Sequence, residues 1–134
     1  MTEQESVQVV EQIYAAFERG NIQAIHHLLA DDVDWEFPGP EDIPFGGGRR
    51  GREIVAQFFT SADETVEVEK FEPQAFVAQG DRVIVLGYER VRVKSTGHFY
   101  ETDWVHVWTV REGKVVRLRE YTDTAAIVKA FRGG

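Results

Sequence analysis

Apolar residues recur at helical spacing in the first sixty positions and at every second position in much of the second half. Val9, Val10, Ile13, Tyr14 and Phe17 form one stripe on a first helix. Thr2 and Glu5 stand at capping-box spacing ahead of it, and Gly20 supplies a left-handed stop. Asn21 is placed to cap a second helix whose buried face reads Ile22, Ile25, Leu28 and Leu29. Asp31 and Asp32 are expected to close that helix before a short extended run from Val33 to Phe37. Residues 38–51 hold three prolines and repeated glycines, which predicts a long loop without regular structure, a lid or a plain connection. Arg52 to Thr60 reads as a third helix through Ile54, Val55, Phe58 and Phe59.

The rest of the chain is strand-like. One long or broken strand covers Val66 to Val77, interrupted at Pro73. Further strands run from Arg82 to Lys94, Phe99 to Arg111 and Lys114 to Asp123, separated by short turns at Gly80-Asp81, Ser95-Thr96-Gly97 and Glu112-Gly113. Short turns between successive strands predict antiparallel hairpins. Thr124 opens a last short helix with Ile127, Val128 and Phe131. Three helices followed by a meander predict an α+β fold, and no repeat or linker divides residues 1–134 into more than one domain.

Strand alternation sorts the candidate chemistry. The second long strand offers Ile84, Leu86, Tyr88, Arg90 and Arg92 on one face and Val83, Val85, Glu89, Val91 and Val93 on the other. The third offers Thr102, Trp104, His106 and Trp108 against Glu101, Asp103, Val105 and Val107. The fourth offers Val116, Leu118, Glu120 and Thr122 against Arg117, Arg119, Tyr121 and Asp123. Periodicity does not decide which sets face inward. Large aromatics dominate core energetics, so Trp104 and Trp108 are assigned to the helix-covered face. That choice buries His106 and sets Glu120, Tyr88, Arg90 and Arg92 beside it, with Tyr14, Trp35 and Phe37 around them. An apolar pocket with a few convergent polar groups is the usual form of a small-molecule site.

Composition narrows the partners. The 134 residues are 43% hydrophobic and 28% charged, with 15 basic and 23 acidic side chains and a formal charge of -8. That acidic excess repels phosphate backbones and anionic membranes. Cysteine is absent, so disulfides and thiolate metal sites are excluded. The first residues carry no signal-type pattern, and no apolar run reaches membrane-span length; the expectation is a cytoplasmic protein. His26 and His27 lack a carboxylate at metal spacing, His98 sits in a turn, and Gly46-Gly47-Gly48 lacks the order of a phosphate loop. No metal and no cofactor is expected.

Several segments carry a family likeness: Val9 to Asn21, Leu28 to Val33, Gly51 to Phe59, Arg111 to Arg117 and Glu120 to Asp123. In these the chain resembles the nuclear transport factor 2-like (ketosteroid isomerase-like) superfamily, and is especially similar to its SnoaL-like polyketide-cyclase branch. The resemblance implies a cone: helices on a strongly curved antiparallel sheet, an internal pocket, and homodimers through the outer sheet face. Val91, Val93, Val105 and Val107 are assigned to that outer face. The resemblance also implies departures. The steroid-isomerase base position falls at Phe37 and its tyrosine at Ile13. Of the epoxide-hydrolase trio, Arg90 and Glu120 match while Arg92 stands in place of the second aspartate; the water-holding pair falls at Trp35 and Phe37. A polyketide-cyclase relative needs one carboxylate on the last strand, and Glu120 fits it.

The leading expectation is therefore a cofactor-independent cyclase- or isomerase-type enzyme acting on a small apolar carbonyl compound. Glu120 serves as base, His106 as its partner and Arg90 or Arg92 as oxyanion stabiliser. Tyr14, Trp35, Phe37, Tyr88, Arg92, Trp104 and Trp108 line the substrate pocket. Burial raises the pKa of a carboxyl such as Glu120, whereas a neighbouring arginine lowers it, and a structural ion pair is the alternative role. Asp123 is assigned to capping the last helix. The alternative functions are a non-catalytic small-molecule binder, an epoxide hydrolase-like enzyme with an altered site, and a protein-interaction module.

Overall fold

A computed structural model describes residues 1–133. In chain order the elements are α1 (Glu3–Glu18), α2 (Ile22–His27), β1 (Leu29–Phe37), β2 (Gly47–Arg50), α3 (Arg52–Thr65), β3 (Val66–Gln79), β4 (Arg82–Val93), β5 (Phe99–Arg111), β6 (Lys114–Thr122) and α4 (Thr124–Arg132). The six strands form one sheet in the order β2-β1-β6-β5-β4-β3. None of these helices is long and apolar enough to cross a membrane.

The capping box at Thr2 and Glu5 is formed, and Asn21 and Asp123 cap α2 and α4 through their side-chain oxygens. Three expectations are corrected. First, β1 begins at Leu29, so Asp31 and Asp32 lie inside a strand rather than at a helix end. Val33, Trp35 and Phe37 turn inward while the two aspartates stay in water, and Asp31 pairs with Arg52 at 2.7 Å. Second, the 38–51 segment contains β2, a four-residue edge strand antiparallel to β1. Its glycines leave the pairing to backbone groups alone, so no side-chain pattern announces it. Third, the sheet is mixed, because β1 lies parallel to β6 although the other pairs are antiparallel. The meander of β3 to β6 occupies its own place, and β1 arrives from the helices to close the free edge of β6.

The sidedness of β4 is also corrected. Val83, Val85, Gly87, Glu89, Val91 and Val93 face the helices, whereas Ile84, Leu86, Tyr88, Arg90 and Arg92 face out. Cross-strand register fixes this: Val83 opposes Trp108, Val85 opposes His106 and Gly87 opposes Trp104. Directly opposed residues share a face. Val91 and Val93 are thus fully buried, on the opposite side from Val105 and Val107. The parity was hidden because the inward set contains a glycine and a glutamate, while the outward set has larger apolar side chains.

Gly87 is required by packing. The Trp104 ring lies across it, and a Cβ there would meet ring atoms at 2.2 to 2.5 Å. Trp104 is 1% exposed and stacks on Phe71 and His106. Two apolar clusters fill the space under the helices. One joins α1, α2 and the three tryptophans; the other joins Phe37, Ile43, Phe45, Val91, Val93, Tyr100, Ile127 and Ala130 beneath α4.

Gly87→Ala is expected to cost at least about 1–3 kcal/mol, the range for overpacking a core. Denaturant unfolding followed by tryptophan fluorescence measures this, and an unchanged midpoint would show that Trp104 does not need the gap.

Candidate functional site

Three strands and one helix assemble the buried polar groups. On the inward face, Glu120 of β6 opposes His106 of β5, which opposes Val85 of β4. His106 Nε2 and Glu120 Oε1 are 2.8 Å apart, and both residues are buried. Tyr14 reaches in from α1, its hydroxyl 2.7 Å from His106 Nδ1 and 2.9 Å from Trp108 Nε1.

Donor chemistry orders this chain. An indole N–H only donates, so Trp108 gives its proton to the Tyr14 oxygen. Burial pushes the Tyr14 phenol above its ordinary range, so the hydroxyl keeps its proton. That proton points to His106 Nδ1, the one remaining partner of the hydroxyl. The imidazole then carries its own proton on Nε2 and donates it to Glu120. Every link is satisfied by one direction of donation, running from Trp108 through Tyr14 and His106 to the carboxylate.

A second carboxyl shares the interior. Glu89 of β4 is 9% exposed, opposes Thr102 of β5 and has Phe71 of β3 as its other cross-strand neighbour. Burial, and after it the charge of Glu120, push its pKa up to about 8. The charge of Glu89 and then of Glu120 also reach Tyr100, although burial is the first cause that raises that phenol. Glu89 was not among the residues singled out from sequence. The signal that finds it is the Gly87-Trp104 complementarity, which sets the parity of β4.

The remaining candidates divide. Trp35 packs on Phe58, Phe59 and Trp108, and Trp104 stacks 4.0 Å from His106, ring centre to ring centre. Trp35 and Trp104 each keep a buried indole N–H without an acceptor. Phe37 belongs to the cluster under α4. Tyr88, Arg90 and Arg92 do not join the set. Arg90 pairs with Glu69 and Glu101, Arg92 with Glu67, and Tyr88 donates to Glu101, all on the outer face. The oxyanion role expected of Arg90 or Arg92 is therefore withdrawn. A cleft of about 300 Å³ lies at the rim, lined by His98, Phe99, Tyr100, Glu101, Ala126, Lys129 and Ala130. Neither it nor the small hollow between α2 and α3 is lined by Glu120 or His106, both of which are buried. No group of three or more metal-ligating side chains converges among the described residues.

The raised Glu89 carboxyl makes stability depend on pH. An unfolded glutamate releases its proton near 4.5, the folded one near 8. Between these values the native state holds a proton that the unfolded state lacks, so stability falls as pH rises, by at most about 1.4 kcal/mol per unit. Glu89→Gln removes this slope. Melting curves across the window are expected to show the variant gaining on the wild type up to about pH 8 and no further; parallel curves would show that Glu89 is ionised in the fold.

Comparison with known proteins agrees with this architecture. A nuclear transport factor 2-like protein from Burkholderia xenovorans is 43% identical over 98% of both chains, with a TM-score of 0.90. One from Burkholderia pseudomallei is 29% identical over 98% of both, with a TM-score of 0.88. TerC, crystallised with polyporic acid, is 28% identical over 96% of this chain and 98% of its own, with a TM-score of 0.83. No curated protein matches the chain. A family model for the SnoaL-like domain matches residues 10–118, most of the sequence, and the chain belongs to that family within the nuclear transport factor 2-like fold.

Proposed function

We propose that this protein is a cofactor-independent enzyme of the cyclase or isomerase type, which moves a proton on a small apolar carbonyl compound. The observation that carries the reading is the buried relay Trp108–Tyr14–His106–Glu120. Its donors all run toward one buried carboxylate, and the imidazole that serves it is packed among aromatic rings. A carboxylate held by a single imidazole N–H keeps lone pairs free to accept a proton from carbon. His106 fixes its orientation, and Tyr14 fixes the tautomer of His106. TerC, crystallised with polyporic acid, supports a small organic ligand for this fold.

Entry of a ligand requires the cap to give way. The segment carrying Ile43 and Phe45 and the helix α4 cover the second apolar cluster. They are joined by the Asp42–Arg132 pair at 2.8 Å and by the Phe45–Phe131 contact. The exposed ion pair contributes little to stability, so this cover is held mainly by apolar contact. The rim cleft lies against the same helix.

The burial of His106 and Glu120 away from both clefts favours a second reading, a non-catalytic binder of the same ligand class. Exchange chemistry separates the two. With enolisable aryl ketones in D2O, 1-tetralone as reference, the protein is expected to speed deuterium uptake at the α carbon. Glu120→Gln is expected to lower that rate by about 10²–10⁴, the contribution of a positioned acid or base, with the fold intact. Binding without exchange identifies the binder instead.

We also propose a homodimer through the outer sheet face, now defined by Ile84, Leu86, Val105, Val107, Val77 and Tyr121. Leu86, Val77 and Tyr121 are exposed, an apolar patch that a second copy would cover. Light scattering is expected to give a dimer, and Leu86→Asp a monomer with unchanged circular dichroism; a wild-type monomer at micromolar concentration contradicts the proposal.

A further inference from the structure

Trp35 and Trp104 are 3% and 1% exposed, and the indole N–H of each has no acceptor among the described residues. Trp108, the third tryptophan of the chain, differs, because it donates to the Tyr14 hydroxyl. A buried indole N–H ordinarily finds a partner, and one left without it costs stability. The places of the two orphans follow from the register. Leu118, Glu120 and Thr122 share the inward face of β6. Trp35 of β1 pairs with Leu118, His106 of β5 with Glu120, and Trp104 of β5 with Thr122. The unserved donors therefore flank the His106–Glu120 row, one on each side.

Their surroundings select what serves them. Trp35 is packed by Phe58, Phe59 and Trp108, and Trp104 by Phe71, Tyr14 and His106. The phenylalanines hold no polar atom in their side chains, and the Tyr14 hydroxyl, the Trp108 N–H and both His106 nitrogens are committed to the relay. A buried water needs about two to four polar partners, and the rings packed against each indole offer it none that is free. An oxygen carried on an apolar ring fits better: the body lies against the aromatic rings and the oxygen accepts the N–H. An indole donates and never accepts through its nitrogen, so the matching group is an acceptor. The Glu120 carboxylate stands in the row between the two donors, which disfavours an anionic group there.

We propose that Trp35 and Trp104 are binding residues for an uncharged ring compound with two acceptor oxygens, one for each indole, lying across the His106–Glu120 row. The inference rests on the reading of the interior as a small-molecule site, and it is independent of Glu120 acting as a base. The indoles move no proton. They select the ligand class, favouring dicarbonyl and quinone-like compounds over hydrocarbons of the same shape.

Three tryptophans give three indole N–H signals, so ¹H–¹⁵N correlation spectra read each donor separately. Tyr14→Phe removes the acceptor of Trp108 and identifies its signal. Trp35→Phe identifies a second, and the third is Trp104. The probe is duroquinone, which carries a carbonyl oxygen at each end of a fully substituted ring; durene has the same four methyl groups and no oxygen. Duroquinone is expected to move the Trp35 and Trp104 protons downfield, as a new acceptor does, and to leave Trp108 in place. Durene is expected to move neither downfield. Trp35→Phe is expected to weaken duroquinone binding by about tenfold, the worth of one satisfied donor, with durene binding unchanged. Should Trp35→Phe not fold, the wild-type shifts decide alone, since the two signals other than Trp108 are the orphans. Duroquinone bound with neither indole moved, or with only one, overturns the proposal. So does equal weakening of both compounds by Trp35→Phe. Contacts from both indole protons to a water that stays when duroquinone binds overturn it as well. If 1-tetralone binds and duroquinone does not, the reading of a ketone site stands and this inference alone fails. Failure of both to bind overturns the two together.

Discussion

The interior depends on one contact, the Trp104 ring lying flat across Gly87. A tryptophan at that register position excludes any side chain opposite it, and only glycine has none. Once the ring is seated, the parity of β4 and β5 is set for their whole paired length, because side chains alternate strictly along a strand. Val85 and His106 fall on one side of the contact, Glu89 and Thr102 on the other, all facing the helices. A slip of β4 by one residue would bring Arg90 and Arg92 inside and turn Glu89 out. The placement of the chemistry is thus decided by a steric requirement of the core.

The same packing explains why two carboxyls in one interior behave differently. Glu120 is solvated by protein: His106 donates to it, Tyr14 donates to His106, and Trp108 donates to Tyr14. Each donor is held by aromatic contacts, stacked for Tyr14 and His106 and edge-on for Trp108, so the chain cannot easily turn to serve another group. Glu89 has burial without donors. Burial, and after it the charge of Glu120, raise the Glu89 pKa to about 8, so Glu89 keeps its proton where an ordinary glutamate has lost it. The outer arginines do not blur this separation, since their charges are spent on Glu67, Glu69 and Glu101 in contact with solvent.

Much of this was legible from the chain. The helical stripes, the caps at Thr2 and Asn21, the hairpin turns and the family likeness point to the fold class. The inward assignment of Trp104, Trp108, His106 and Glu120 came from aromatic burial, and the structure puts His106 and Glu120 in direct contact. Three things were not legible. The parity of β4 was hidden because Ile84, Leu86 and Tyr88 look more core-like than Gly87 and Glu89. The strand β2 is glycine and arginine, so its pairing rests on backbone groups that leave no pattern. The parallel placement of β1 beside β6 joins distant parts of the chain, and local periodicity carries no information about such a contact.

The chemistry turns on the proton order of the buried relay, and ¹⁵N-labelled histidine reads it most directly. At neutral pH the His106 ring is predicted to show one protonated nitrogen, Nε2, coupled across its hydrogen bond to Glu120. Nδ1 should appear as an unprotonated acceptor of the Tyr14 hydroxyl. A ring with its proton on Nδ1 and a bare Nε2 would reverse the chain, make Glu120 the donor to His106, and contradict its assignment as the base.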